Sequence, residues 1–312
     1  MMDLVFCGTP LFAVPTLEKL VASGFGVKLV VTQPDRPSGR GMEPAASPVK
    51  RAALELELTI LQPEKIKNNE EFRRQVAEIA PEAIIVVGYG RIIPQWMIDL
   101  PPLGNINLHG SLLPKYRGAA PIQWAIAMGE SVTGVTTMRI DAGLDTGDIL
   151  QQAEERIAPE DTAATLAPRL AQTGAELMIC TLAGLKNGSI TPKPQDHSQA
   201  TLAPILKRED GLIDFTHTAT DAWNRLRGFQ PWPGAFTKFR GKMLQLHGGR
   251  PATNAVGVLP AHFAIENDRL LLGFAHDTAL DVQELQMEGK KRMNARDFIN
   301  GYRPRSDEEL GT

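Results

Sequence analysis

Ala83-Ile84-Ile85-Val86-Val87, closed by Gly88-Tyr89-Gly90, is the stretch on which the fold turns. A half-exposed strand would alternate apolar and polar residues; five apolar residues in a row read instead as a central strand covered on both faces. The chain before it keeps the same company. Leu4-Val5-Phe6-Cys7 reads as a strand and Gly8-Thr9-Pro10 as a turn. Residues 12–23 follow as a helix with Phe12, Leu17, Leu20 and Val21 on one face, and residues 27–31 as a second strand. Helical patterns over 48–58 and 68–80 flank a short strand near Ile60. Such alternation predicts an α/β fold, a Rossmann-like parallel sheet with right-handed crossovers. Gly8 lacks the second and third glycines of a dinucleotide turn, so no nicotinamide or flavin site is expected.

The 312 residues, 43% of them apolar, suffice for two domains. A net charge of -3 excludes a chain that binds nucleic acid through its overall charge, so an RNA partner must be met by a local patch. Cys7 and Cys180 are the only cysteines, too far apart in sequence to suggest a disulfide framework and without metal-ligand spacing. No run approaches the roughly 18 apolar residues that span a bilayer. The chain opens on a strand pattern with no basic segment and apolar signal core, so a cytoplasmic location is expected, with no membrane partner.

Around 187–204 the sequence turns polar and proline-rich (Pro192, Pro194, Pro204). The expected division is therefore a catalytic domain over 1–189, a linker over 190–206 and a C-terminal domain over 207–312. In the last, residues 218–228 look helical and Pro231-Trp232-Pro233-Gly234 makes a turn. Short strands at 235–239, 243–247, 263–266, 269–274 and 280–287 then point to a small β-barrel of the OB type. Asn294 caps a last helix over 295–300.

Chemistry concentrates between residues 88 and 148. Residues 104–109 read as a strand, which puts Asn107 and His109 on one face near its end. One reading is an amide donor for an oxyanion beside an imidazole base; the other is a buried, satisfied structural pair. A strand over 134–140 leads into Asp141-Ala142-Gly143-Leu144-Asp145-Thr146-Gly147-Asp148, whose carboxylates suit either catalysis or Asx turns. Gly88-Tyr89-Gly90 is either a tight turn or backbone left bare for a flat ligand. Residues 33–48 hold Pro34, Pro37, Pro44 and Pro48, Gly39 and Gly41, and the cations Arg36 and Arg40. A structureless loop of that length is expected to be functional or mobile. No His, Glu or Cys cluster has zinc spacing, and no metal is expected.

These motifs together resemble the methionyl-tRNA formyltransferases, within the wider family that uses 10-formyltetrahydrofolate. The resemblance is carried by Phe6-Cys7-Gly8-Thr9-Pro10, Thr32-Gln33-Pro34-Asp35-Arg36-Pro37 and Gly39-Arg40-Gly41. Asn107-Leu108-His109-Gly110-Ser111-Leu112-Leu113-Pro114, Tyr116-Arg117-Gly118-Ala119-Ala120-Pro121 and Leu144-Asp145-Thr146-Gly147-Asp148 carry it further. Phe229-Gln230-Pro231-Trp232-Pro233 and Gly289-Lys290-Lys291-Arg292-Met293 extend it into the second domain. The resemblance implies that Asn107, His109 and Asp145 are catalytic, and that 10-formyltetrahydrofolate is the formyl-donor substrate, held by Ser111, Leu112, Leu113 and Pro114. Val87, Gly88 and Tyr89, with the Asp141 loop, would wall the pterin pocket. The acceptor it implies is initiator Met-tRNA, met by Arg36 and Arg40 of the Pro/Arg loop; Lys207, Lys290, Lys291 and Arg292 are further candidate contacts, although such a cluster is also an ordinary solvated surface. A monomer is expected. The chain departs from the family pattern at Met42-Glu43-Pro44, where relatives often carry lysines, which leaves fewer cations for phosphate at the loop tip.

Chemically the trio suits formyl transfer. His109 would take the proton the attacking amine must lose, Asp145 would hold the imidazole and its cationic form, and Asn107 would donate to the formyl oxygen as charge grows there. The alternatives are a family member acting on an amino-sugar nucleotide, a 10-formyltetrahydrofolate hydrolase, and a non-catalytic RNA- or folate-binding protein.

Overall fold

The computed structural model describes residues 2–38, 43–253 and 257–311. The chain forms two compact units, each with its own sheet. The first comprises Met1–Pro121, Val132–Arg156 and Ala167–Ala203; the second comprises Ile122–Ser131, Ile157–Leu166 and Pro204–Thr312.

In the first unit the strands are β1 (Asp3–Gly8), β2 (Gly26–Val31), β3 (Arg36–Ser38), β4 (Glu43–Ala45), β5 (Ile60–Leu61), β6 (Ala83–Val87), β7 (Asn105–His109), β8 (Val132–Arg139) and β9 (Ile149–Arg156). Seven of them make one sheet in the order β5-β2-β1-β6-β7-β8-β9. The pairs from β5 to β7 are parallel, as the continuous apolar runs imply. All five residues of β6 are buried. Val5, Cys7, Ile84 and Val86 enter one core with Phe72, Val76 and Met97, while their neighbours Leu4, Phe6, Ile85 and Val87 are fully buried on the other side. Enclosure pushes the Cys7 thiol far above its ordinary value, which makes it an inert hydrophobe.

The sheet departs from an all-parallel expectation after β7, where β8 and β9 run antiparallel. From Gln151 onward β9 alternates between half-buried and exposed residues, the pattern of an edge strand with one face toward water. Helices α1 (Val14–Ala22), α2 (Pro48–Glu55), α3 (Glu70–Ile79) and α4 (Gln95–Ile98) connect the parallel strands. Their starts follow local rules. Ser47 accepts from the amide of Lys50 and is followed by Pro48, and Asn69 accepts from the amide of Phe72 ahead of Glu70 and Glu71. Two further helices, α5 (Pro121–Ala127) and the 24-residue α6 (Ala163–Lys186), follow. Gly174 of α6 seats that helix on Leu108 of β7, where a Cβ would come within 2.6 Å of the leucine side chain. No helix among the described residues is long and apolar enough to cross a membrane.

In the second unit α7 (Ala219–Gly228) starts at Thr218, which forms a capping box with Asp221. Strands β10 (Ala235–Phe239), β11 (Lys242–Pro251), β12 (Phe263–Glu266), β13 (Arg269–Phe274), β14 (Thr278–Met287) and β15 (Met293–Asn294) form a six-stranded antiparallel sheet. Its path runs β10-β11-β14-β13-β12, and among the described residues β10 and β12 do not pair directly; the backbone of residues 309–311 bridges them, bonding to Ala261 and His262 beside β12 and to Lys238 of β10. Side chains add to this bridge. The ring centroids of Phe239 and Phe263 lie 5.8 Å apart, and Phe298 of α8 (Ala295–Tyr302) lies 5.5 and 5.8 Å from them.

Because Ile85 is fully buried in the middle of β6, Ile85→Ala should cost about 2–5 kcal/mol of stability. Urea unfolding measures it; a loss under 1 kcal/mol would contradict the two-sided burial of this strand.

Candidate active site

The site candidates lie in the first unit, at the carboxyl ends of β6 and β7, where open α/β sheets place their ligands. Asn107 and His109 share a face of β7, opposite Val86 and Thr136 on the flanking strands. His109 is buried, and its Nε2 lies 2.9 Å from the carbonyl oxygen of Tyr116. A carbonyl can only accept, so Nε2 carries the hydrogen and Nδ1 is the bare nitrogen of the neutral ring. Nδ1 faces Oδ2 of Asp145 at 3.7 Å, too far for a hydrogen bond but close enough for the carboxylate to stabilise a proton once the ring takes one. The ring is thus oriented by a backbone carbonyl, and Asp145 acts on it through charge.

Asp145 is itself held in place. Its Oδ2 accepts from the Gly118 amide at 2.8 Å, and its backbone sits in the left-handed region, φ 50°. Tyr116 is also left-handed at φ 60°, a conformation that costs an aromatic residue about 1–3 kcal/mol unless its surroundings enforce it. The enforcement comes from residues 201–203. Thr201 Oγ1 accepts from the Tyr116 amide at 2.8 Å and the Thr201 carbonyl from the Arg117 amide at 2.8 Å. The Ala203 amide donates to the Arg117 carbonyl at 2.7 Å. Part of the proline-rich stretch expected as a linker is therefore fastened to the loop that orients His109.

Asn107 is half-buried, and its side-chain amide makes no hydrogen bond among the described residues. It is free to donate to a bound oxyanion. Asn105, two residues earlier, is the structural member of the strand; its Nδ2 donates to the carbonyl of Met97 at 2.7 Å.

The pterin-pocket candidates divide by what they can offer. Val87 and Tyr89 are buried, so beyond their backbone they face the core, while Gly88 is exposed at φ 55°. Burial pushes the Tyr89 hydroxyl above its ordinary value, and that hydroxyl has no hydrogen-bond partner among the described residues. Ser111 is fully buried with its hydroxyl donating to the Lys115 carbonyl at 2.6 Å, and the Leu113 carbonyl accepts from Gln152 at 2.9 Å. Leu112 and Pro114 are half-buried. Ser111 and Leu113 thus set the shape of the loop, which leaves the half-buried pair and the open glycine turn for ligand contact.

Of the acceptor-binding candidates, Arg36 is exposed in β3, and Arg40 lies outside the described residues. The backbone of β3 and β4 pairs as a short antiparallel hairpin, so residues 33–48 are not wholly structureless. Its root is tied down by a polar chain. Lys50 Nζ meets Asp35 Oδ2 at 2.6 Å, Gln62 Nε2 donates to Asp35 Oδ1 at 2.7 Å and to the Gln33 carbonyl at 2.8 Å, and Gln33 Nε2 donates to the Tyr89 carbonyl at 2.9 Å. The hairpin root and the glycine turn are thereby one hydrogen-bonded assembly. In the second unit Lys207, Lys290, Lys291 and Arg292 are exposed; Arg292 is ion-paired with Glu284, whereas Lys290 and Lys291 have no ion pair among the described residues.

A buried imidazole with a fixed bare nitrogen, a carboxylate beside it and an unpaired amide on the same strand are groups that acyl-transfer chemistry can use. The formyl transferase family matches residues 2–182, and the formyl transferase C-terminal domain matches 205–303. The chain is 68% identical over 310 residues to methionyl-tRNA formyltransferase of Koribacter versatilis (strain Ellin345), covering 99% of both chains. It is 60% identical to that of Acidobacterium capsulatum, covering 99% of this chain and 100% of the relative. A sugar 3N-formyl transferase, WlaRD, solved in the presence of dTDP and 5-N-formyl-THF, shares the fold with a TM-score of 0.68 at 20% identity, over 93% of this chain and 99% of its own. The chain belongs to the formyl transferase family and, within it, to the methionyl-tRNA formyltransferases.

The hydrogen bond from Lys50, then that from Gln62, holds the Asp35 carboxyl below the usual carboxylate range. With the folded value depressed, the clamp is complete above the ordinary value and is lost only as pH falls through the lowered one. Titration of the Asp35 carboxyl by NMR should therefore move upward in Lys50→Met; an unmoved titration would contradict this account of the hairpin root.

Proposed function

We propose that the chain transfers the formyl group of 10-formyltetrahydrofolate to the amino group of methionine on initiator Met-tRNA, as a cytoplasmic monomer. The observation that carries the chemistry is the fixed His109 ring with Nδ1 bare beside Asp145. Nδ1 takes the proton lost as the methionine nitrogen bonds to the formyl carbon, and Asp145 stabilises the resulting imidazolium. Asn107 donates to the formyl oxygen while it carries negative charge. The tetrahydrofolate N10 then leaves as the C–N bond to the formyl carbon breaks, and the imidazolium returns its proton to that nitrogen. Gly88, Leu112 and Pro114 provide the ligand-facing wall for the pterin.

The acceptor assignment draws on the identity with named tRNA formyltransferases and on the anchored strand that bears Arg36, with Arg40 following it in sequence. Lys207, Lys290 and Lys291 are proposed as contacts to the tRNA backbone. The free thiols, Cys7 buried and Cys180 exposed, suit a reducing compartment.

Purified protein should formylate initiator Met-tRNA. Asn107→Ala should lower kcat by about 10²–10³, the usual worth of one oxyanion donor, and His109→Ala by about 10²–10⁴. Arg40→Ala should raise KM for the tRNA and leave KM for the folate unchanged. Absence of formyl-Met-tRNA alongside turnover of an amino-sugar nucleotide would overturn the acceptor; full activity of His109→Ala would overturn the chemistry.

A further inference from the structure

We infer that Arg117 and Gln195 form a positioning pair that holds the Asp145 carboxylate against His109, an inference that rests on the formyl-transfer reading of this site. Arg117 and Gln195 are both buried, at 7% and 6% exposure. Gln195 Oε1 accepts from Nε of Arg117 at 3.1 Å and from Nη2 at 2.6 Å. The other end of the same amide donates to the Asp145 carbonyl at 2.9 Å and to the Gly147 carbonyl at 2.7 Å. Arg117 Nη2 also meets Nδ1 of the exposed His197 at 3.1 Å.

Three features give this arrangement a purpose beyond filling space. First, Arg117 is an enclosed cation with no ion pair among the described residues. A guanidinium is expensive to desolvate, and neutral acceptors compensate it less well than a carboxylate would. Second, position 195 needs a group that accepts at one end and donates twice at the other. A glutamate would pair better with Arg117 but could not donate to the two carbonyls, and an apolar residue could do neither; a primary amide does both. Third, those carbonyls bracket a crowded turn. Asp145 is left-handed, and a Cβ on Gly147 would lie 2.0 Å from the Arg139 carbonyl oxygen, so the turn has no slack toward β8. Gripping it from the other side fixes the direction in which the Asp145 side chain leaves the backbone.

Residues 116–118 therefore reach the reacting pair three times in succession. The Tyr116 carbonyl orients His109, the Arg117 side chain fixes the Asp145 backbone through Gln195, and the Gly118 amide binds the Asp145 carboxylate. A shift of the loop moves base and carboxylate together.

The test is steady-state formylation of Met-tRNA by the full chain carrying Gln195→Glu, with Arg117→Met as a second variant. Arg117→Met replaces a buried charge with an apolar side chain of similar length and leaves Gln195 Oε1 without these donors, so activity is read per folded molecule. Both variants should lower the thermal midpoint, since each leaves a polar group unpaired, but fold at the assay temperature and keep the KM for each substrate within about twofold of wild type. Their kcat should fall about 10- to 100-fold, the range a misplacement near 1 Å produces. Arg117→Lys should recover part of that loss. Wild-type kcat in both variants, per folded molecule, would overturn the pair while leaving formyl transfer standing. If wild type itself makes no formyl-Met-tRNA, it is the underlying reading of the site that fails.

Discussion

The structure around the site depends on one hydrogen bond, from Nε2 of His109 to the carbonyl of Tyr116. It fixes the tautomer, and the tautomer decides which nitrogen faces the carboxylate and is free to act as a base. A backbone carbonyl suits the task because, unlike a carboxylate, it adds no charge to the ring and cannot itself titrate. Asp145 is thereby left to respond to the proton rather than to hold the ring, at a separation of 3.7 Å. The cost is a left-handed Tyr116, sustained by the bonds that Tyr116 and Arg117 make to Thr201 and Ala203.

The same constraint explains how the first unit is organised around β7. The strand must be central enough to keep His109 buried and must end where ligands approach, and β6 and β8 on either side provide both conditions. Antiparallel β8 carries the chain from beside His109 to beside Ile106, and the loop over 141–148 that follows reaches back to set Asp145 3.7 Å from His109, so that a loop more than 30 residues away in sequence supplies the carboxylate. The hairpin root follows similar logic. Asp35 is a clamp for Lys50 and Gln62, and Gln33 carries that clamp onto the glycine turn. The segment proposed to meet the acceptor and the turn proposed to meet the pterin therefore share a foundation.

Much of this was legible in the sequence. The apolar run of β6 announced the buried parallel centre, and the period of two in β7 put Asn107 and His109 on one face. Strands β10, β12 and β13 begin and end where their residue patterns do, and Asn294 caps its helix by accepting from the Asp297 amide. What escaped was whatever backbone or distant residues supply. The Tyr116 carbonyl and the Gly118 amide belong to groups every residue has, so side-chain chemistry gave no hint of them. Gln195 lies in a polar stretch whose composition reads as a linker, and only tertiary contact reveals its role. Arg117, a cation within a Gly-Ala-Ala-Pro loop, was the one signal available. How the edges of the second sheet meet escaped as well, because strand patterns fix pairing partners locally and say nothing of a segment, residues 309–311, whose backbone bonds to both edges beside a cluster of phenylalanine rings.

The most direct measurement is the ¹⁵N NMR spectrum of the His109 imidazole in the neutral ring. The account requires a protonated Nε2 and a bare Nδ1, with Nε2 losing its hydrogen-bonded shift when the 116–118 loop is displaced. A ring that carries its hydrogen on Nδ1 would contradict it, since the nitrogen facing Asp145 could then accept no proton.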